Sequence, residues 1–471
     1  MTSTHNPCAY DRSALKQRIL HIGFGAFARA HPMVYLNHGL VAEGGDWGVV
    51  AARLNSGVDA LEALDAAQGL YHVAEADGDT TTLREIGVVC GTCHPVRDGA
   101  GALPALIAGP DMAVILLTIT EKGYCTKGGA LDLDHPGIQS DLNEGTTTTA
   151  IGVLVAGLRR RRDAGLGGLT ILSCDNQPDN GALTRAAVVG FSEALDQDLA
   201  DWIKAEVCFP SSMVDRIVPA MTDESRAVIK HALGREDPNA ILCEPFRQWV
   251  IEDRFANGRP PFAAGGAMLV PDVQPFEEMK LRLLNGAHTT LAWLGQLLGY
   301  ETVSDCMRDS SLRGLIRQLM LSEQAPTLHL PEGVDIEAYA NDLLVRFENT
   351  RLKHRLTQIA ADTSQKMPQR LFAPVASNLV AGRAWPVSAL AIAAWIEGLC
   401  RLPALPDPQQ DDLRQAAQAA APVAAVLALP ALIPDELRNR ADFITSVEAA
   451  FDLLQTDVGA AVRSTLGEAQ A

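Results

Sequence analysis

Over the first 270 residues, short apolar runs closed by glycine or polar turns alternate with helix-compatible stretches. Residues 18–23 (RILHIG) read as a buried strand, and the GFGAFARAHPMVYLNHGL stretch that carries on from its last glycine has helical character after its glycines. Residues 47–54 read as a second strand behind a Gly-rich turn. Residues 113–120 (AVILLTIT) are the most apolar short run in the chain. They predict a central parallel strand, because a strand covered on both faces needs no polar alternation. Residues 150–162 have helical periodicity and end in four arginines, and 169–174 (LTILSC) form a further strand before DNQPDNG. This alternation predicts βαβ units around a parallel sheet. From about Pro275 the texture changes to long helical segments at 276–298, 310–324, 336–347, 386–400 and 442–466. The expected division is therefore an α/β lobe at 1–272 and a mostly α-helical lobe at 273–471.

Composition narrows the partners. The chain has 471 residues, 47% hydrophobic and 20% charged, which is enough apolar material for a full core. Formal charge is 39 − 57 = −18. Nucleic acid and anionic membranes both need a positive field, so neither is expected as a partner. Nine cysteines lie scattered along the chain, an odd count that suits reduced thiols rather than a disulfide framework. The N-terminal MTSTHNPCAYDRSALKQ has no apolar core of a secretion signal. The uncharged run at 416–434 is interrupted by Pro422 and Pro430, which favours a helical hairpin over a membrane span. A soluble, cytoplasmic protein is expected, as a monomer or small homo-oligomer.

Candidate chemistry begins at Gly23-Phe24-Gly25-Ala26-Phe27-Ala28, which fits G-x-G-x-x-A between a strand and a helix. Glycines there permit a tight turn and close backbone approach to a pyrophosphate, so a Rossmann-type dinucleotide site is expected. Arg29 and His31 either contact phosphate or cap structure. The acid that would hold a ribose 2′-hydroxyl is missing after the second strand, where Arg53, Asn55 and Ser56 stand instead. Arg53 would suit a 2′-phosphate, so the residues leave NAD and NADP both open. Cys90-Gly-Thr-Cys93-His94 matches C-x-x-C-H, but no second ligand pair accompanies it, and two incidental thiols are the simpler account. The arginines 159–162 read as a solvated helix end.

The strongest constellation is Lys280-Leu-Arg-Leu-Leu-Asn285-Gly-Ala-His288. Counted along an α-helix, Asn285 lies about 140° and His288 about 80° around from Lys280, with Glu277 on the same side and only Leu283 pointing clearly away. A desolvated lysine beside an amide and an imidazole can act as general base, and the amide can donate to a developing alkoxide. The same spacing also suits an ordinary helix with solvated or paired polar groups.

Together, GFGAFARAH, TITEKGY (118–124), SCDN (173–176), FPSSMVDRIVP (209–219), CEPFRQWVIED (243–253) and KLRLLNGAH resemble the long-chain mannitol dehydrogenase family over nearly the whole chain. The resemblance implies a metal-independent oxidoreductase moving hydride between a nicotinamide cofactor and a polyol or sugar acid. It implies Lys280 as general acid/base, Asn176 and Asn285 as the oxyanion-stabilising pair, and His288 as the group that binds the reacting hydroxyl. Glu277 and Asp215 would line proton and water access. Gly23, Phe24, Gly25, Ala26, Phe27, Arg53, Thr118 and Glu121 would hold the cofactor, with NAD preferred over NADP. SEQAPTLHLPEG (322–333) and KHRLTQIAADTSQKMPQR (353–370) place the resemblance closest to the fructuronate-reducing branch. That branch implies interconversion of D-fructuronate and D-mannonate; the alternative is a mannitol, D-arabinitol or other polyol dehydrogenase. Arg355, Lys366 and Arg370 are candidates to neutralise a substrate carboxylate, and structural salt bridges account for them equally well. Ala28, Ala287 and Thr363 depart from the family's His, Ser and Gly without removing a catalytic group.

Overall fold

The computed structural model describes residues 2–78, 80–351, 353–429 and 432–467, with Thr2 and Ser3 described by backbone alone. Pro430, one of the two prolines expected to interrupt the 416–434 run, lies outside the described residues. Two compact units emerge, Met1–Gln274 and Pro275–Ala471.

In the first unit the predicted strands materialise as Lys16–Ile22, Trp47–Ala52, Val114–Leu117 and Thr170–Ser173. With Val89–Cys93 they form a five-stranded sheet, every neighbouring pair of which is parallel. Across the sheet the order runs 170–173, 114–117, 16–22, 47–52, 89–93, and a parallel bridge from Thr170 to Cys208 continues beyond the first edge. Numbered along the chain this is the 3-2-1-4-5-6 order of a Rossmann-type dinucleotide fold. Alternate residues of each strand feed two different cores. Ile19, Val49, Val114 and Leu116 belong to one, while Leu20, Val50, Ile115 and Leu117 belong to the other. Both faces are thus covered, the physical reason these strands are apolar throughout.

Two further sheets of three or more strands escaped the pattern reading. One contains Thr2–Asn6, Thr80–Ile86, Tyr71–Asp77 and Ile241–Cys243, and the other Ser212–Asp215, Gln248–Glu252 and Met268–Val270. The arginine run also needs correcting. Arg161, on the helix Ala150–Asp163, is 2% exposed and donates to the carbonyls of Ile107, Gly109 and Gly167. It ties the helix end to neighbouring loops; only Arg160 of the four is fully exposed.

The second unit is helical. Ala287–Leu297 packs on Pro386–Arg401, which packs on Ala441–Thr456. Buried Glu323 caps the middle helix, accepting from Val387 N (2.7 Å), Ser388 N (2.8 Å) and Ser388 Oγ (2.6 Å). The helix expected over 442–466 is two helices, because Asp457 leaves helical geometry and caps Val458–Leu466 through Ala460 N. The 416–434 run holds the short helix Pro422–Leu427, and among the described residues no helix is long and apolar enough to cross a membrane.

Candidate active site

Residues 276–298 form continuous helix of unexpected geometry. Gln274–Met279 is α, Lys280–Gly286 is π-helical, and Ala287–Leu297 returns to α. An i→i+5 ladder turns less per residue than the α-helix, so the angles counted from Lys280 to Asn285 and His288 are not those realised; such wide turns recur at functional sites. Two more π-helical segments, Leu319–Gln324 and Pro368–Phe372, pack against this one. Leu283, expected to point away from the polar groups, is itself fully buried, and every residue from 283 to 294 is buried.

Lys280, Asn285 and His288 are 7%, 8% and 6% exposed, which removes the reading of a solvated polar face. Asn285 Nδ2 and His288 Nε2 have no hydrogen-bond partner among the described residues. A buried polar atom left so costs about 1–3 kcal/mol, so a ligand that would satisfy both is the physical expectation. The imidazole lies 4.5 Å from the Phe347 ring, tilted by 36°, and meets His354 at 5.0 Å, nearly perpendicular. Burial, reinforced by His354, Arg346 and Arg370, holds the pKa of His288 well below the ordinary histidine value, so the ring is neutral. Glu277 sits half-buried on the preceding α turn.

Arg370 comes up against this helix, donating to Thr289 Oγ1 (3.0 Å) and reaching the Asn285 carbonyl at 3.5 Å. Burial lowers its pKa to about 10. Lys366 donates to the Ile359 carbonyl (3.0 Å) and to that of Ala361, and burial, helped by Arg370, lowers its pKa to about 8. Neither cation has a carboxylate within ion-pair distance among the described residues, so the salt-bridge account fails for both. Arg355 behaves differently: it is exposed, at the N-cap of Leu356–Ala360, and does not join the cluster. Sequence reasoning missed His354 and Gln324. His354 stands in the quoted KHRL motif, and Gln324, fully buried, donates to the Arg370 carbonyl at 3.2 Å with its own carbonyl oxygen unpartnered.

In the first unit, the Gly-rich turn closes over the end of the central strand. Gly23 has φ +86°, and a Cβ there would lie 2.1 Å from the Thr118 carbonyl oxygen, so only glycine fits. Thr118 Oγ1 donates to the Gly23 carbonyl (2.7 Å), and Arg53 Nε donates to that of Phe24 (3.0 Å). A Cβ on Gly25 would meet nothing closer than 3.6 Å, leaving its outer side open where Ala26–Ala30, with Phe27 in its first turn, begins. Gly23, Arg53, Asn55, Ser56 and Thr118 line a cleft of about 460 Å³ at the carboxyl ends of the strands. That is the face on which doubly wound sheets bind nucleotides. Glu121 is exposed and absent from the lining, whereas Lys122 and Gly123 take part. Arg29 donates to the Asn239 and Gly25 carbonyls, and buried His31 bonds the Gln248 carbonyl, so both serve structure.

Asp175 couples two of the motifs, accepting from Ile119 N (2.9 Å), Thr120 N (3.0 Å) and the Tyr124 hydroxyl (2.8 Å). Asn176 follows it and is exposed. Asn180 bonds Asp175 O and both backbone groups of Ser212, tying this loop to the strand that ends in buried Asp215. The C-x-x-C-H cysteines are free, burial raises both thiols, and His94 caps Pro95–Asp98.

Residues 17–264 match the family model for the mannitol dehydrogenase Rossmann domain, and 272–455 that for the mannitol dehydrogenase C-terminal domain. D-mannonate oxidoreductase of Escherichia coli (strain K12) is 45% identical over 462 residues, 95% of each chain. A solved Pseudomonas fluorescens mannitol 2-dehydrogenase, a ternary complex with NAD and D-mannitol, superposes with TM-score 0.85 at 33% identity, covering 99% of this chain and 97% of that one. Substrate-free D-sorbitol dehydrogenase gives TM-score 0.90 at 31% identity, covering 97% of both. The chain therefore belongs to the mannitol dehydrogenase family of oxidoreductases.

Proposed function

We propose that this protein interconverts D-fructuronate and D-mannonate with NAD(H), using Lys280 as its general acid/base. The observation that carries the reading is the pair of unpartnered buried atoms, Asn285 Nδ2 and His288 Nε2, on the helix that holds buried Lys280. Gly23, Gly25, Arg53 and Thr118 suit a dinucleotide, because the turn closes tightly at Gly23 and stays open at Gly25. NAD, when bound, supplies or accepts the hydride at its nicotinamide.

The chain's own residues do the rest. As the substrate carbonyl gains electron density, the Asn285 amide donates to its oxygen and the Lys280 ammonium delivers a proton to the same atom. In oxidation a neutral Lys280 takes the proton from the hydroxyl. Neutral His288 holds that hydroxyl, and burial of all three groups excludes competing water. Asn176 and Asp215 are assigned, by family resemblance, to oxyanion stabilisation and proton access, and Glu277 likewise to proton access. A sugar acid is favoured over a polyol because Lys366 and Arg370 have no carboxylate within ion-pair distance among the described residues, and a relative named for mannonate is 45% identical. Preference for NAD rests on the NAD-bound relative.

The test is NADH oxidation at matched concentrations of D-fructuronate, D-tagaturonate and D-fructose, repeated with NADPH. Fast turnover with fructuronate and little with fructose is expected. Preference for fructose would move the enzyme to the polyol branch. Lys280→Met should abolish turnover while leaving NADH binding intact, and wild-type oxidation of mannonate should accelerate with rising pH; a flat profile refutes the role of Lys280.

A further inference from the structure

The four-stranded sheet of the first unit assembles a group that no sequence spacing announces. His72 and Glu85 stand directly opposite each other on the antiparallel pair Tyr71–Asp77 and Thr80–Ile86. His5, on Thr2–Asn6, pairs with Leu83, two residues before Glu85 on the same strand face. One ligand atom from each of His5, His72 and Glu85 lies within 4.8 Å of the others.

His72 is the decisive member. It is 2% exposed, and its Nδ1 lies 2.8 Å from Asp237 Oδ2, an oxygen that also accepts from the His72 backbone N–H at 3.0 Å. An ionised carboxylate only accepts, so Nδ1 carries a ring proton, and in the neutral ring Nε2 presents a lone pair. That Nε2 has no hydrogen-bond partner among the described residues, and it faces Glu85 Oε2 at 3.8 Å, beyond hydrogen-bond range. Glu85 is steadied by the Cys8 N–H, which donates to its other oxygen at 3.2 Å. A lone pair aimed at a carboxylate is repulsive unless a cation stands between them.

We propose that His5, His72 and Glu85 form a binding site for a divalent transition-metal ion of the zinc class, which fastens the N-terminal strand to the sheet. Two imidazoles and one carboxylate select zinc-like ions over calcium or magnesium. Tetrahedral zinc with bonds of about 2.0–2.2 Å places its ligand atoms roughly 3.3–3.5 Å apart. The His72–Glu85 pair is already near that spacing, and exposed His5 closes the remainder by side-chain rotation. Asp237 is the outer carboxylate that orients a ligating histidine. The site is independent of the proposed reaction.

The test is titration of metal-free, full-length protein with Zn²⁺ by calorimetry, alongside Co²⁺ absorption spectra. One ion per chain is expected, with a cobalt spectrum free of thiolate charge transfer and a zinc-dependent rise in unfolding temperature. His5→Ala, at an exposed position, and Glu85→Gln should each weaken binding at least tenfold and abolish the rise. Asp237→Asn should weaken binding by about 10–100-fold. Affinity unchanged in both His5→Ala and Glu85→Gln, a thiolate signature, or no stoichiometric binding overturns the proposal.

Discussion

Replacing Arg370 by Gln separates binding from folding. The guanidinium holds its charge against burial that moves its pKa from an ordinary 12.5 to about 10, equivalent to about 3 kcal/mol disfavouring the cation. Among the described residues nothing acidic repays this, and the contacts are Thr289 Oγ1 and, marginally, the Asn285 carbonyl. Losing the Thr289 bond costs about 1–1.5 kcal/mol. The variant should therefore be more stable by roughly 1–2 kcal/mol, or about 2–8 °C in unfolding temperature for a unit of this size. Its effect on catalysis should have the opposite sign. If Arg370 receives the carboxylate of a hexuronate, removing one partner of a buried charge pair costs about 2–4 kcal/mol. That is a fall of about 30- to 1000-fold in kcat/KM for fructuronate, with a much smaller change for fructose. Thermal unfolding and NADH-coupled kinetics on both substrates read the two effects. A drop in stability of several degrees, or equal losses on acid and ketose, would refute the reasoning.

Other outcomes follow from the same geometry. Gly23→Ala forces a Cβ to 2.1 Å from the Thr118 carbonyl at positive φ, so NADH affinity, followed by fluorescence titration, should weaken, with about 1–3 kcal/mol of strain; unchanged affinity would separate this turn from the cofactor. Lys366, with a pKa of about 8, is cationic below and neutral above that value, so the ratio of kcat/KM for fructuronate to that for fructose should fall as pH rises through 8. Lys366→Met should flatten that ratio. Glu323→Ala leaves three buried donors of Val387 and Ser388 unsatisfied at a helix N-terminus and should destabilise the protein by more than about 3 kcal/mol in denaturant unfolding, while Glu323→Gln loses less.

Local pattern carried the central parallel strands, the strand–Gly23–helix turn and the longer helices of the second unit, because each depends on neighbours within a few residues. The apolar run at 113–120 read as a doubly covered strand because it lacks polar alternation. The Lys280–His288 constellation was likewise visible as composition and spacing. Its geometry was not: the π-helical turn packs against segments at 319–324 and 368–372, far away in the chain, which local spacing does not reveal. The same distance dependence separates Arg370, drawn against Thr289, from Arg355, left exposed fifteen residues earlier with the same charge. Arg161 looked solvated because three carbonyls from two loops cannot be read from a helix end. His5, His72, Glu85 and Asp237 meet only through strand pairing. Short-range propensity and periodicity are written in consecutive residues, whereas burial, proton location and charge partnership arise from contacts that form only when the chain has folded.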